Sequence, residues 1–72
     1  MAEKKVIIYG KEGWPYTTEA RSAYGDRARY VNVQKDPAGM KEMLRFSKGS
    51  REVPVIVEGE KVKIGYGGSW GV

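Results

Sequence analysis

Seventy-two residues leave room for one domain with a thin core, because a domain this small buries only a modest share of its surface. With no cysteine and no histidine, the chain has no disulfide, none of the usual zinc or iron–sulfur ligands and no histidine general base. The net charge of +4 is spread along the chain, which reads as a solvated surface with a mild preference for anions and disfavours nucleic acid as a partner.

No apolar run approaches the ~20 residues that span a membrane. Met1-Ala2-Glu3-Lys4-Lys5 leads into a strand without a signal-peptide core. The expectation is a soluble, cytoplasmic protein. The lack of cysteine is neutral on compartment.

Val6-Ile7-Ile8-Tyr9 is a continuous apolar run, which suits a central strand buried on both faces. Gly10–Gly13 is a loop. From Thr17 to Tyr24, Ala20, Ala23 and Tyr24 share one helical face, with Tyr16 one turn earlier. Gly25 is a natural stop. Arg29–Val33 reads as a second strand. Asp36-Pro37 has the form of a helix start, with Asp as N-cap and Pro at the first helical position. Met40, Met43, Leu44 and Ser47 then share a face, and Gly49 ends the helix.

Val53–Val57 reads as one third strand, Glu58-Gly59-Glu60 as a turn, and Lys61–Ile64 as an alternating, two-faced fourth strand. Residues 65–72 form a glycine-rich tail, and residues 1–72 a single domain. The order is β-α-β-α-β-β, with the first two strands parallel through a right-handed crossover and the last two an antiparallel hairpin.

Three features carry chemistry. The first is Lys11-Glu12-Gly13-Trp14-Pro15-Tyr16-Thr17, at a strand-to-helix junction. A helix N-terminus offers free N–H groups and positive partial charge, which lower the pKa of a thiolate placed there. Position 14 is that place, and Lys11 adds a cation. The second is Glu52-Val53-Pro54-Val55, with proline at a strand start, where it forfeits a ladder hydrogen bond. A cis bond there turns the Val53 backbone outward to pair with an extended peptide; the commoner alternative is an edge-strand proline in trans. The third is Gly67-Gly68, which either admits a ligand backbone closely or is part of a flexible tail.

Together these motifs resemble the glutaredoxin family. Val-Ile-Ile-Tyr, a loop lysine, X-Pro-Tyr-X, Val-Pro and Gly-Gly follow in the glutaredoxin order from Val6 to Gly68. The resemblance implies an α/β, thioredoxin-like fold with a four-stranded mixed sheet that lacks the last helix. It implies glutathione as a co-substrate and no bound cofactor, while the lack of Cys and His sets the expectation of no metal. Contacts to substrate would come from Lys11, Pro15, Tyr16, Val53, Pro54, Gly67 and Gly68. The acidic residue that glutaredoxins usually carry after Gly-Gly is absent here.

Both cysteines of the family's Cys-Pro-Tyr-Cys centre are replaced, by Trp14 and Thr17. Either Trp14 is native and anchors an interface, or it stands where selenocysteine belongs, since the selenocysteine codon UGA differs by one base from UGG. Trp70, in Ser69-Trp70-Gly71-Val72, sits where a group of small glutaredoxin-like selenoproteins carries a C-terminal selenocysteine. The resemblance thus implies a monomeric thiol/selenol-disulfide oxidoreductase acting on disulfides or glutathionylated proteins and small molecules. Its nucleophile is at position 14, Thr17 is a hydroxyl donor, and position 70 carries a resolving group. This chain, with Trp14, is expected to be redox-inactive. The alternative is a non-catalytic peptide- or protein-binding module on the same fold.

Overall fold

A computed structural model describes residues 6–72; the expectation for Met1–Lys5 lies outside them. Strand β1 (Val6–Gly10) lies at the centre of a four-stranded sheet. It pairs in parallel with β2 (Ala28–Asn32) and antiparallel with β4 (Val55–Glu58), which in turn pairs antiparallel with β5 (Lys61–Ile64). Helix α1 (Pro15–Tyr24) links β1 to β2 through a 3-10 turn at Gly25–Arg27. Helix α2 (Pro37–Ser47) follows β2.

The pleat of β1 sorts the core into two clusters, because successive side chains point to opposite faces. Val6 and Ile8 pack with Ile56 and with Ala20 of α1. Tyr9 packs with Val31, Val33, Val55, Val57 and Met43 of α2. The sheet is therefore covered by α1 on one face and α2 on the other, which is why the run Val6–Tyr9 is apolar at every position. Met43 is fully buried, and truncating such a side chain to alanine costs about 2–5 kcal/mol.

Helix α2 begins as its sequence predicts: the Asp36 side chain accepts from the Gly39 N–H at 3.1 Å, with Pro37 at the first position. It ends at Lys48, in the left-handed region, followed by Gly49 at φ 92°. Helix α1 stops at Gly25, whose N–H donates to the Arg21 carbonyl.

Three expectations need correction. The third strand is two: β3 (Glu52–Val53) leaves the main sheet before β4 begins. Pro54 lies between them, without an N–H to give to a ladder, and the Val53–Pro54 bond is cis. Helix α1 starts two residues before Thr17, and its inward face is Thr17, Ala20 and Tyr24, while Ala23 is exposed. Strand β5 is not two-faced in burial: Val62 and Ile64 both stay exposed among the described residues. The glycine-rich tail, for which the sequence left a flexible course open, is ordered. It turns back and forms β6 (Trp70–Gly71), which pairs antiparallel with β3.

Among the described residues no third α-helix occurs, and no helix is long and apolar enough to cross a membrane.

Candidate functional site

The junction of β1 and α1 is built on a close approach. Gly10 ends β1 with its Cα against the Thr17 side chain, so that any Cβ at position 10 would run into Thr17. This draws the first turn of α1 onto the strand and buries Thr17 to 2% exposure. Gly10 is a site residue that the sequence reading missed. The loop between them turns at Gly13, whose φ of 80° favours glycine.

Trp14 is the N-cap of α1, in extended conformation, and supplies no side-chain acceptor to the helix. Pro15 has no N–H to satisfy, and the first bond of the helix runs from the Thr18 N–H to the Trp14 carbonyl at 3.1 Å. The N–H groups of Tyr16 and Thr17 therefore have no intrahelical acceptor. Two further polar atoms here are buried without a partner among the described residues, Oγ1 of Thr17 and Nε1 of Trp14. Unmet donors gathered at a helix N-terminus fit a negatively charged atom or group.

Around this point the structure collects aromatic rings. Trp14 meets Tyr16 edge-on, with centroids 5.2 Å apart, and Trp70 in a tilted contact, also at 5.2 Å. Lys11 Nζ lies 5.8 Å from the Trp14 ring and 5.4 Å from the Trp70 ring, within reach of both as a cation–π partner. Tyr16 packs against Gly67 and Gly68, and a Cβ at Gly68 would collide with its ring.

Strand β3 forms the other wall. Val53 is fully buried and is paired in register with Trp70. The Gly65 N–H donates to the Pro54 carbonyl at 2.7 Å, and the Tyr66 N–H to the Gly68 carbonyl at 3.0 Å. These bonds turn the chain after β5 and send the tail back to the loop. Lys11, Trp14, Pro15, Tyr16, Thr17, Val53, Pro54, Gly67, Gly68 and Trp70 thus lie in one region. Two more contacts tie the tail down that the sequence reading did not single out. The Ser69 hydroxyl donates to Glu52 Oε1 at 2.8 Å, and Arg51 Nε donates to the Val72 carbonyl oxygen at 2.8 Å. The strand register would have been needed to find them, since Arg51 and Glu52 are ordinary surface residues in sequence.

No family model matches the chain, and comparison with curated proteins finds no match. Among solved structures, the chain is similar to the glutaredoxin grx-1 of Archaeoglobus fulgidus, with a TM-score of 0.70 and 22% identity. The match covers 88% of this chain and 76% of that one. The fold is a glutaredoxin-like thioredoxin fold, and at that identity the likeness speaks for the fold alone.

Proposed function

We propose that position 14 is the nucleophile position of a glutaredoxin-like thiol/selenol-disulfide oxidoreductase, and that this chain, with tryptophan there, lacks the activity. One observation carries the reading: the N-terminus of α1 has no side-chain cap, while Thr17 beneath it keeps a buried hydroxyl without a partner. A thiolate or selenolate at position 14 would meet those donors, and Lys11 would add a cation nearby. Both effects stabilise the anion and lower its pKa.

The chemistry follows from a single nucleophile. A selenolate or thiolate at 14 attacks the glutathione sulfur of a glutathionylated substrate, forming a mixed bond and releasing the substrate as a thiolate. A second glutathione thiolate then attacks the glutathione sulfur of that bond, forming oxidised glutathione and restoring the anion. Thr17 can hold the anion but cannot resolve the mixed bond. A chalcogen at position 70 could, by displacing glutathione and forming a 14–70 bridge that two glutathione molecules later reduce. Cytoplasmic location, a monomeric state, and glutathionylated or disulfide substrates belong to the same proposal, as does selenocysteine at 14 and 70.

The test is Trp14→Cys. It should gain glutathione-dependent reduction of a small disulfide, with a thiol pKa below the free value of ~8.5. No gain, or a pKa at or above that value, would sink the reading. The double variant Trp14→Cys with Trp70→Cys should form an intramolecular disulfide on mild oxidation, which requires Cα atoms within about 7 Å. The codons at 14 and 70 test the selenocysteine element separately, since UGG at both removes it.

A second reading has its own support. Trp14 is well packed as it stands, between Tyr16, Trp70 and Lys11, as an interface anchor would be. A binding module would lose its peptide on Trp14→Ala and gain nothing from Trp14→Cys.

A further inference from the structure

We infer that the segment Ser69–Val72 is a built-in ligand of β3: it occupies a docking strand for extended polypeptide, and a substrate segment bearing an aromatic side chain must displace it to bind. The inference rests on the reading of this face as a substrate site, takes positions 14 and 70 as the tryptophans this chain carries, and names both the class of ligand and a competitor within the chain.

The pairing is the first ground. Strand β3 belongs to no other sheet among the described residues, and β6 is its sole partner there. Val53 is opposite Trp70, Glu52 is opposite Gly71, and the Val72 N–H donates to the Arg51 carbonyl at 2.7 Å. If the tail leaves, the backbone of Arg51–Val53 presents an open edge, which is a template for another strand. Main-chain bonds of this kind give affinity without regard to sequence, and the side chains beside them give selectivity.

The second ground is what the tail meets while it sits there. Its aromatic residue lies on Trp14 and beside Lys11 Nζ. One residue earlier, a hydroxyl donates to Glu52; two residues later, a carbonyl accepts from Arg51. These contacts describe the ligand that the edge accepts: an extended strand with an aromatic ring opposite Val53, a donor just before it and a free carbonyl after it. Val72 also packs its side chain against the cluster around Tyr9 and Met43, so a small apolar residue suits that position.

The third ground is that the hold is thin. Strands β3 and β6 have two residues each, and an isolated two-stranded ribbon is marginal in water. Trp70 is 55% exposed even while docked. A segment held this way can be exchanged, yet its short tether keeps it at high effective concentration beside the strand.

The experiment uses the full chain with Trp14 in place, so that its outcome does not depend on redox chemistry. The probe is a fluorescent synthetic peptide, Gly-Gly-Ser-Trp-Gly-Val, followed by anisotropy. Its partner is a variant with the tail loosened, Ser69→Ala with Val72→Pro, which removes the bond to Glu52 and the N–H given to Arg51. A tail docked for about nine-tenths of the time weakens a competitor roughly tenfold, so the variant should bind the peptide about tenfold tighter than the parent. A peptide with alanine for tryptophan should bind neither. In the parent chain, excess peptide should shift the Trp70 indole resonance to its position in the variant, a reading that needs no substitution. Equal affinity in the two proteins, or peptide binding that leaves the Trp70 resonance unmoved, would overturn the inference. So would the absence of binding to the folded variant. Each of these results would leave the Trp14→Cys test of the redox reading untouched.

Discussion

The two helices begin alike and are finished differently. Each starts with proline at its first position, and each leans on β1. At α2 the N-cap is Asp36, whose carboxylate takes the Gly39 N–H, and β1 reaches the helix through a hydrogen bond from the Tyr9 hydroxyl to Glu42. At α1 the N-cap is Trp14, which takes nothing, and β1 reaches the helix through bare van der Waals contact between Gly10 and Thr17. At the α2 start a carboxylate takes a backbone N–H; at the α1 start, among the described residues, no side chain does, and Thr17 Oγ1 is buried without a partner. Structure alone would favour filling both, because an unpaired buried polar group costs about 1–3 kcal/mol. The open start is thus the one left without a side-chain partner among the described residues.

The largest expected effect tests what the open start can hold. In the Trp14→Cys protein, Thr17→Val removes the hydroxyl while keeping the shape. A hydrogen bond to an ionised group contributes about 1.5–3 kcal/mol, so the thiol pKa should rise by about one to two units. The thiolate absorbance, followed against pH, reads this. In the Trp14 chain the same change should leave stability equal or higher by up to about 1 kcal/mol, because it deletes a buried hydroxyl with no partner. Destabilisation in both backgrounds would mean that Thr17 is a packing residue only, and the contrast between the two helix starts would lose its functional meaning.

A smaller effect comes from exchanging the caps. Asp36→Ala should cost about 1 kcal/mol, which lowers the melting temperature by about 4–8 °C in a domain of this size. Trp14→Asp should place a carboxylate near the Thr17 N–H, in the geometry that Asp36 has with Gly39. Hydrogen exchange at the Thr17 amide should slow in that variant, even if lost ring contacts with Tyr16 and Trp70 lower the overall stability. If the Thr17 amide is already as protected in the parent chain as that of Gly39, the open start is closed by something else.

How much of this was legible in the sequence depended on the range of the interaction. The apolar run Val6–Tyr9, the Asp36-Pro37 cap and the stops at Gly25 and Gly49 are local signals, and each found its element. The place of Trp14 at the start of α1 was legible because a helix start after a buried strand is also a local pattern. The face of α1 was misread, since Thr17 is polar and Ala23 is apolar, and only the close approach at Gly10 decides which one turns inward. The break between β3 and β4 had a signal in the missing N–H of Pro54, but an unbroken apolar run masked it. Strand β6 had none. Ser-Trp-Gly-Val is too short and too glycine-rich to read as a strand, and it is ordered by Arg51 and Glu52, far away in the chain.

The smallest effect sharpens the α2 side of the comparison. Tyr9 is fully buried and donates to Glu42 at 3.1 Å. Burial, and then the carboxylate of Glu42 beside it, push its pKa from 10.0 up to about 12. The raised value means that the folded state favours the protonated phenol. Its contribution to stability is therefore complete below pH 10, where the phenol is protonated in both states. Above pH 10 the unfolded chain loses its proton first, so stability falls as pH rises, until the folded form also ionises near pH 12. Tyr9→Phe removes that titration and the bond to Glu42 together. At neutral pH it should cost about 0.5–1.5 kcal/mol, the range for one hydrogen bond. Between pH 10 and 12 its stability should decline less steeply than that of the parent, so that the two curves draw together. Denaturant melts at a series of alkaline pH values would show this. Parallel curves across that window would mean that Tyr9 is not the group whose ionisation loosens α2 from the sheet.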